Sequence, residues 1–127
     1  MKITAVVVLY NMPVHSSKTI ESFKAIANDL SLNNFDLIIY DNSYKEQKIT
    51  EEYPFKITYF HDKENGGLTA AYNFALKKCL ESQIKWLLLL DQDTQLNNTY
   101  IQAIQNSLLN IESLKDVVCL VPHVVSK

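Results

Sequence analysis

A chain of 127 residues makes one domain and is long enough to bury a substantial core. Its apolar fraction of 47%, charged fraction of 20% and formal net charge of -2 belong to an ordinary soluble globule, and no basic stripe points to nucleic acid. Cys79 and Cys119 are too few and too far apart for a disulfide framework; both sit in apolar patterns and are expected as buried free thiols of a reducing, cytoplasmic compartment.

The first apolar run, Ile3 to Leu9, is too short to cross a bilayer, and no small-residue cleavage site follows it. It reads as a strand, Ala5 to Leu9, closed by the turn formers of Tyr10-Asn11-Met12-Pro13. After the candidate caps Ser16 and Ser17, apolar residues at Ile20, Phe23, Ala27 and Leu30 describe an amphipathic helix. Phe35 to Tyr40 is a second strand, ending at Asp41-Asn42-Ser43. A polar loop leads to Pro54 and a third strand, Phe55 to Phe60.

The loop His61 to Gly67 precedes a helix whose apolar face is Leu68, Ala71, Tyr72, Ala75, Leu76, Cys79 and Leu80. Trp86 and four leucines then run into Asp91-Gln92-Asp93, which reads as a strand buried on both faces. Asn97 or Asn98 caps another helix, with Ile101, Ile104, Leu108 and Ile111 on its stripe, and Val117 to Val121 is a last strand before Pro122. Strands alternating with helices predict an α/β fold: a Rossmann-like, mostly parallel open sheet flanked by helices, in a single domain over 1–127.

The polar residues gather at strand ends. Tyr10-Asn11 follows the first strand, Asp41-Asn42-Ser43 the second and Asp91-Gln92-Asp93 the fourth, while Asn65-Gly66-Gly67 opens a helix. In a parallel sheet these ends share one edge, where ligands bind. The only two glycines are adjacent, as expected where the backbone itself needs glycine, and a helix N-terminus favours an anion. Alternation along an extended chain would project Asp91 and Asp93 together, as oxygen ligands suited to a hard divalent cation. The spacing excludes both the dinucleotide fingerprint and the phosphate-binding loop. Each piece has a plainer reading: Asp91 and Asp93 could merely end a strand, Asp41 cap a turn, and Asn73 sit on the surface. His15, His61 and His123 lack metal-site spacing and are expected to be solvated.

The segments AVVVLYN, DLIIYDNS, ENGGLTAAYNFAL, WLLLLDQDT and VVCLVP, in that order, resemble the N-terminal half of an inverting family-2 glycosyltransferase of the GT-A fold, of the rhamnosyltransferase-like kind. The resemblance implies a truncated GT-A domain that binds a UDP- or dTDP-sugar, and a role for each matching residue. Tyr10 and Asn11 would line the nucleotide pocket, beside Asn42. Asp41 would accept the ring N–H of the pyrimidine, and Gly66, Gly67 and Asn73 would shape the pocket floor near the sugar. Asp91 would approach the ribose or a metal-bound water, and Asp93 would ligate Mg2+ or Mn2+ bridging the diphosphate.

Inversion also needs a general base. Glu112 and Asp116 are the only acids after Asp93 and precede the last expected strand, so the base is expected beyond Lys127. The implied reaction is hexosyl or rhamnosyl transfer to a saccharide or lipid-linked acceptor in cell-surface polysaccharide synthesis. The implied setting is the cytoplasm, with peripheral association at the inner face of a membrane. The alternatives are a nucleotide-sugar-binding module without transfer and, less favoured, a nucleotidyltransferase. A receiver domain is excluded because no acidic pair follows the first strand.

Overall fold

The computed structural model describes residues 1–111, 116, 117 and 119–121. Four strands pair among them: β1 (Ile3–Leu9), β2 (Phe35–Asp41), β3 (Lys56–His61) and β4 (Trp86–Leu90). Their order is β3-β2-β1-β4, and every pairing is parallel. The expected α/β open sheet flanked by helices is therefore present.

The centre of the sheet is β1. Ile3, Ala5, Val6, Val7 and Leu9 are each at most 2% exposed, so the β-branched run that covers both faces is this one. The leucine run of β4 was expected in that role and is instead the strand beside it, paired only with β1 among the described residues. Leu89 is 49% exposed and only Leu90 of that run is buried. An apolar run identifies a strand; the neighbours that decide its burial lie elsewhere in the chain.

Helix α1 (Lys18–Asp29) joins β1 to β2, with Ser17 as its N-cap. Its Phe23 meets Phe35 and Phe55 edge-on, with ring centroids 5.4 and 4.8 Å away. Helix α2 (Gly67–Glu81) packs Ala71 and Ala75 on Val6, Ile38 and Tyr40, which are the alternate residues of the same strands. The α2 face is narrower than expected. Ala71, Ala75 and Cys79 are buried, whereas Leu68, Leu76 and Leu80 are exposed. The small residues allow the helix close to the sheet, and the larger ones of the adjoining row stay outside.

The chain forms two compact units, Met1–Asn97 and Asn98–Lys127. The second contains α3 (Asn98–Ile111), on which Ile101 and Leu108 are buried. The strand expected over Val117 to Val121 is not seen at Val117, Cys119, Leu120 or Val121; Val118, Pro122, Glu112 and His123 lie outside the described residues. Cys79 is buried as expected, but Cys119 is exposed.

Candidate functional site

The strand order places the chain's reversal at one spot. From β1 the chain moves outward to β2 and β3, then returns to the other side of β1 for β4. Leu9 pairs with Asp41 and Val7 with Leu90, so the carboxyl ends of β1, β2 and β4 lie nearly level. A crevice outside such a switch point is where open α/β sheets bind ligands. An open cleft of about 360 Å³ lies there. Val8 and Tyr10 line it from β1, Asn42 from β2, Asn65, Gly67 and Leu68 from the start of α2, and Asp91, Gln92 and Asp93 from β4.

The two glycines serve different needs. A Cβ on Gly66 would stand 2.6 Å from the Ala70 Cβ and 2.7 Å from Asp62 Oδ2, inside any tolerable contact. Gly67 has open space around it but a φ of 76°, a backbone conformation that L side chains rarely adopt. Asp62 holds this corner together. Its Oδ2 accepts the Tyr40 hydroxyl at 2.6 Å and the Gly66 N–H at 2.9 Å, and its Oδ1 accepts the Glu64 N–H at 3.1 Å. The Tyr40 hydrogen bond and then the Gly66 N–H hold its carboxyl below the ordinary value. Burial, then Asp62, pushes Tyr40 up to about 12. The Gly67 N–H reaches Asn42 Oδ1 at 3.3 Å, which ties the first turn of α2 to the end of β2.

Asp41 is the last residue of β2 and Asn42 follows it, and the two side chains have different surroundings. Asn42 faces the cleft. Asp41 is fully buried and does not line it. Its Oδ1 accepts the Ser43 N–H at 3.0 Å, and its Oδ2 accepts the Tyr59 hydroxyl at 2.7 Å and Gln47 Nε2–H at 3.0 Å. Gln47 also donates to the Met12 carbonyl at 2.8 Å and accepts the Val14 N–H at 2.8 Å, so it bridges the loops after β1 and β2. Burial raises Tyr59 to about 12. The Asp41 carboxylate thus accepts three internal donors and has no exposed surface.

The carboxylate segment also differs from the expected geometry. Asp91 follows the last residue of β4, and Gln92 and Asp93 form a turn, so a turn rather than strand alternation brings Asp91 and Asp93 to one cleft. Both are exposed. Gln92 Oε1 accepts the Tyr10 N–H at 2.9 Å, which locks the end of β1 to this turn. The Asp91 charge also helps, after burial, to raise Tyr72 on α2. Among the described residues no lysine or histidine lines the cleft, and the chain contains no arginine.

Of the expected site residues, Tyr10, Asn42, Gly67, Asp91 and Asp93 meet at this cleft. Asn11, Asp41, Gly66 and Asn73 do not line it: Asn11 donates its N–H to Ser43 Oγ at 2.9 Å with a φ of 49°, and Asn73 is exposed on α2. Of the histidines, His15 is exposed, but His61 is half-buried, with Nε2 2.7 Å from the Ser43 carbonyl. Gln92, Gln47 and Tyr59 carry hydrogen bonds of the site without an obvious sequence signal. For Asp62 there was one: an aspartate four residues before a glycine, at the start of a helix.

The sequence model of glycosyl transferase family 2 matches residues 4–126. The chain belongs to glycosyltransferase family 2. No curated protein and no solved structure matches it. The family, the parallel sheet and the cleft at its switch point agree with one another: this is a glycosyltransferase domain with a partial GT-A architecture. Its partners are, in general terms, a nucleotide-sugar donor and an acceptor.

Proposed function

We propose that the cleft binds a UDP- or dTDP-sugar through Mg2+ or Mn2+ held by Asp91 and Asp93, as the donor site for inverting hexosyl or rhamnosyl transfer. The observation that carries this reading is the charge of the lining. Among the described residues, two exposed carboxylates line the cleft and no cationic side chain does. A diphosphate entering there meets repulsion unless a divalent cation lies between. The residues present fit such an ion: Mg2+ keeps several waters and takes one or two carboxylates plus phosphate oxygens. Among the described residues no group of three or more acidic, histidine or cysteine side chains forms a closed cage, so phosphate oxygens would complete the shell. A bound ion would neutralise charge on the departing diphosphate.

The remaining lining divides the other tasks. The N-terminus of α2 at Gly67 contributes partial positive charge toward the phosphates. Tyr10, 54% exposed, presents its ring to the base. Asn42 presents its amide in the place first expected of Asp41, which anchors the wall from within. The acceptor is a saccharide or lipid-linked saccharide, in cell-surface polysaccharide synthesis, with peripheral attachment to a membrane. Among the described residues no helix is long and apolar enough to cross one.

A second reading, binding without transfer, is favoured by one observation: among the described residues no acid other than Asp91 and Asp93 lines the cleft to serve as general base. A turnover assay separates the two. The donor site itself is tested by calorimetric titration with UDP and dTDP, each with and without Mn2+. Metal-dependent binding of either nucleotide is expected; no heat with both would reject the reading.

A further inference from the structure

Three hydroxyls near the start of α1 are turned toward the carboxylate turn. Ser17 and Thr19 are fully buried and Ser22 nearly so. Ser17 Oγ accepts the Ile20 N–H at 3.3 Å, as an N-cap should, and donates to the Gln92 carbonyl at 2.6 Å. Thr19 Oγ1 donates to the Asp91 carbonyl and accepts the Thr94 N–H at 2.8 Å. Ser22 Oγ donates to the Thr19 carbonyl and accepts the Leu96 N–H, both at 3.0 Å. Each hydroxyl uses its donor and an acceptor site, and together they satisfy four backbone groups between residues 91 and 96.

Those residues need the help. Positions 91–97 are neither strand nor helix, so no ladder defines where their backbone goes. A segment without a ladder must find other partners for its N–H and C=O groups. Thr19 is the pivot: one oxygen joins the Asp91 carbonyl to the Thr94 amide, and the two carboxylate-bearing residues lie within that span. Its own N–H also points to the Gln92 carbonyl, at 3.5 Å. The partners are 72 to 75 residues apart in sequence, so these bonds fix the turn against a separate helix rather than against itself.

We propose that Ser17, Thr19 and Ser22 are positioning residues that set the geometry of the Asp91–Asp93 pair. The affinity of the cleft for metal and diphosphate then depends on hydroxyls that contact neither. The proposal rests on the donor-site reading above. Thr19→Val keeps the side-chain volume but removes the hydroxyl, leaving a carbonyl and an amide unpaired. The turn must then shift or admit water, and a constellation displaced from its working geometry loses affinity.

The test uses the whole chain and four variants: Thr19→Val, Thr19→Ser, Ser22→Ala and, as a control on the same helix, Ile26→Ala. Three quantities are read: Mn2+-dependent affinity for UDP and dTDP by calorimetry, amide hydrogen exchange at Thr94 and Leu96, and the thermal midpoint. Thr19→Val is expected to lose about tenfold in affinity and to speed exchange at Thr94. Thr19→Ser restores both, Ser22→Ala speeds exchange at Leu96 and weakens binding, and Ile26→Ala lowers the thermal midpoint without changing affinity. Wild-type affinity and exchange in Thr19→Val and Ser22→Ala would overturn the proposal. So would an affinity loss in Ile26→Ala equal to that of Thr19→Val at matched stability. Should Thr19→Val fail to fold, Ser22→Ala decides by affinity and exchange. A wild-type chain that binds neither UDP nor dTDP with Mn2+ rejects the donor site instead, and exchange at Thr94 and Leu96 then judges the positioning bonds alone.

Discussion

The Tyr10 N–H donates to Gln92 Oε1 at 2.9 Å, joining two residues 82 positions apart at the point where the sheet reverses direction. Tyr10 directly follows the interior strand β1, and Gln92 stands between the two carboxylates in sequence. The hydrogen bond therefore couples the wall proposed to face the base to the turn proposed to face the diphosphate. Gln92→Ala removes it without adding charge. Weaker metal-dependent nucleotide binding, by about three- to tenfold, is expected from the loss of one such bond, with little change in folding stability because the site is exposed. Parallel titrations and denaturation curves check both parts.

Gly66 and Gly67 should fail differently. Gly67→Ala imposes a φ of 76° on a residue with a Cβ, a strain of roughly 1–2 kcal/mol. Gly67→Asn should recover part of that, since asparagine tolerates this conformation. Gly66→Ala drives a methyl group into Ala70 and the Asp62 carboxylate. It should break the Asp62 hydrogen bonds, with a larger loss that asparagine does not recover. Chemical denaturation of the four variants gives the ranking.

The Asp62 corner also predicts how stability responds to pH. In the folded chain this carboxyl titrates below its ordinary value of 3.8. The unfolded chain thus binds the proton more readily, and the contribution is complete above pH 3.8 and lost as pH falls through the folded value. Asp62→Asn should flatten that acid limb. At the other end, Tyr40 and Tyr59 are pushed up to about 12 from 10.0, so their contribution is complete below pH 10.0 and fades as pH rises toward 12. Spectrophotometric titration should show these two of the seven tyrosines ionising toward pH 12, one fewer in Tyr40→Phe.

Asp41 carries a separate prediction. Tyr59→Phe takes one donor from a fully buried carboxylate and should cost about 1–3 kcal/mol in stability. Gln47→Ala removes another donor and also frees the Met12–Val14 loop. Urea denaturation of the single and double variants measures both losses and their coupling.

The strands and helices of the first 111 residues were legible because β-branched runs, helical spacing and turn residues agree locally. Ser17 was recognisable as a cap, and the strand ends as a shared edge. What could not be read depends on contacts distant in sequence. The leucines of β4 look as buried as the valines of β1, yet only the pairing order puts β1 in the centre. Leu68, Leu76 and Leu80 fit the same helical face as Ala71, Ala75 and Cys79, but the sheet meets only the narrower row. Asp41 and Asn42 are adjacent polar residues, yet one meets Gln47 and Tyr59 inside the fold and the other meets Gly67 at the cleft. The second role of Ser17, donating to Gln92, was invisible because its partner lies 75 residues away.

The most direct measurement is UDP affinity, in Mn2+ and in chelator, for the wild type and for a variant carrying Asp91→Asn and Asp93→Asn. The two carboxylates should both repel the bare diphosphate and hold the ion that reverses the repulsion. The wild type is expected to bind weakly in chelator and much more tightly with Mn2+. The variant should lose the Mn2+ response and bind UDP in chelator at least as well as the wild type. A variant that keeps the full Mn2+ enhancement would contradict the assignment of Asp91 and Asp93.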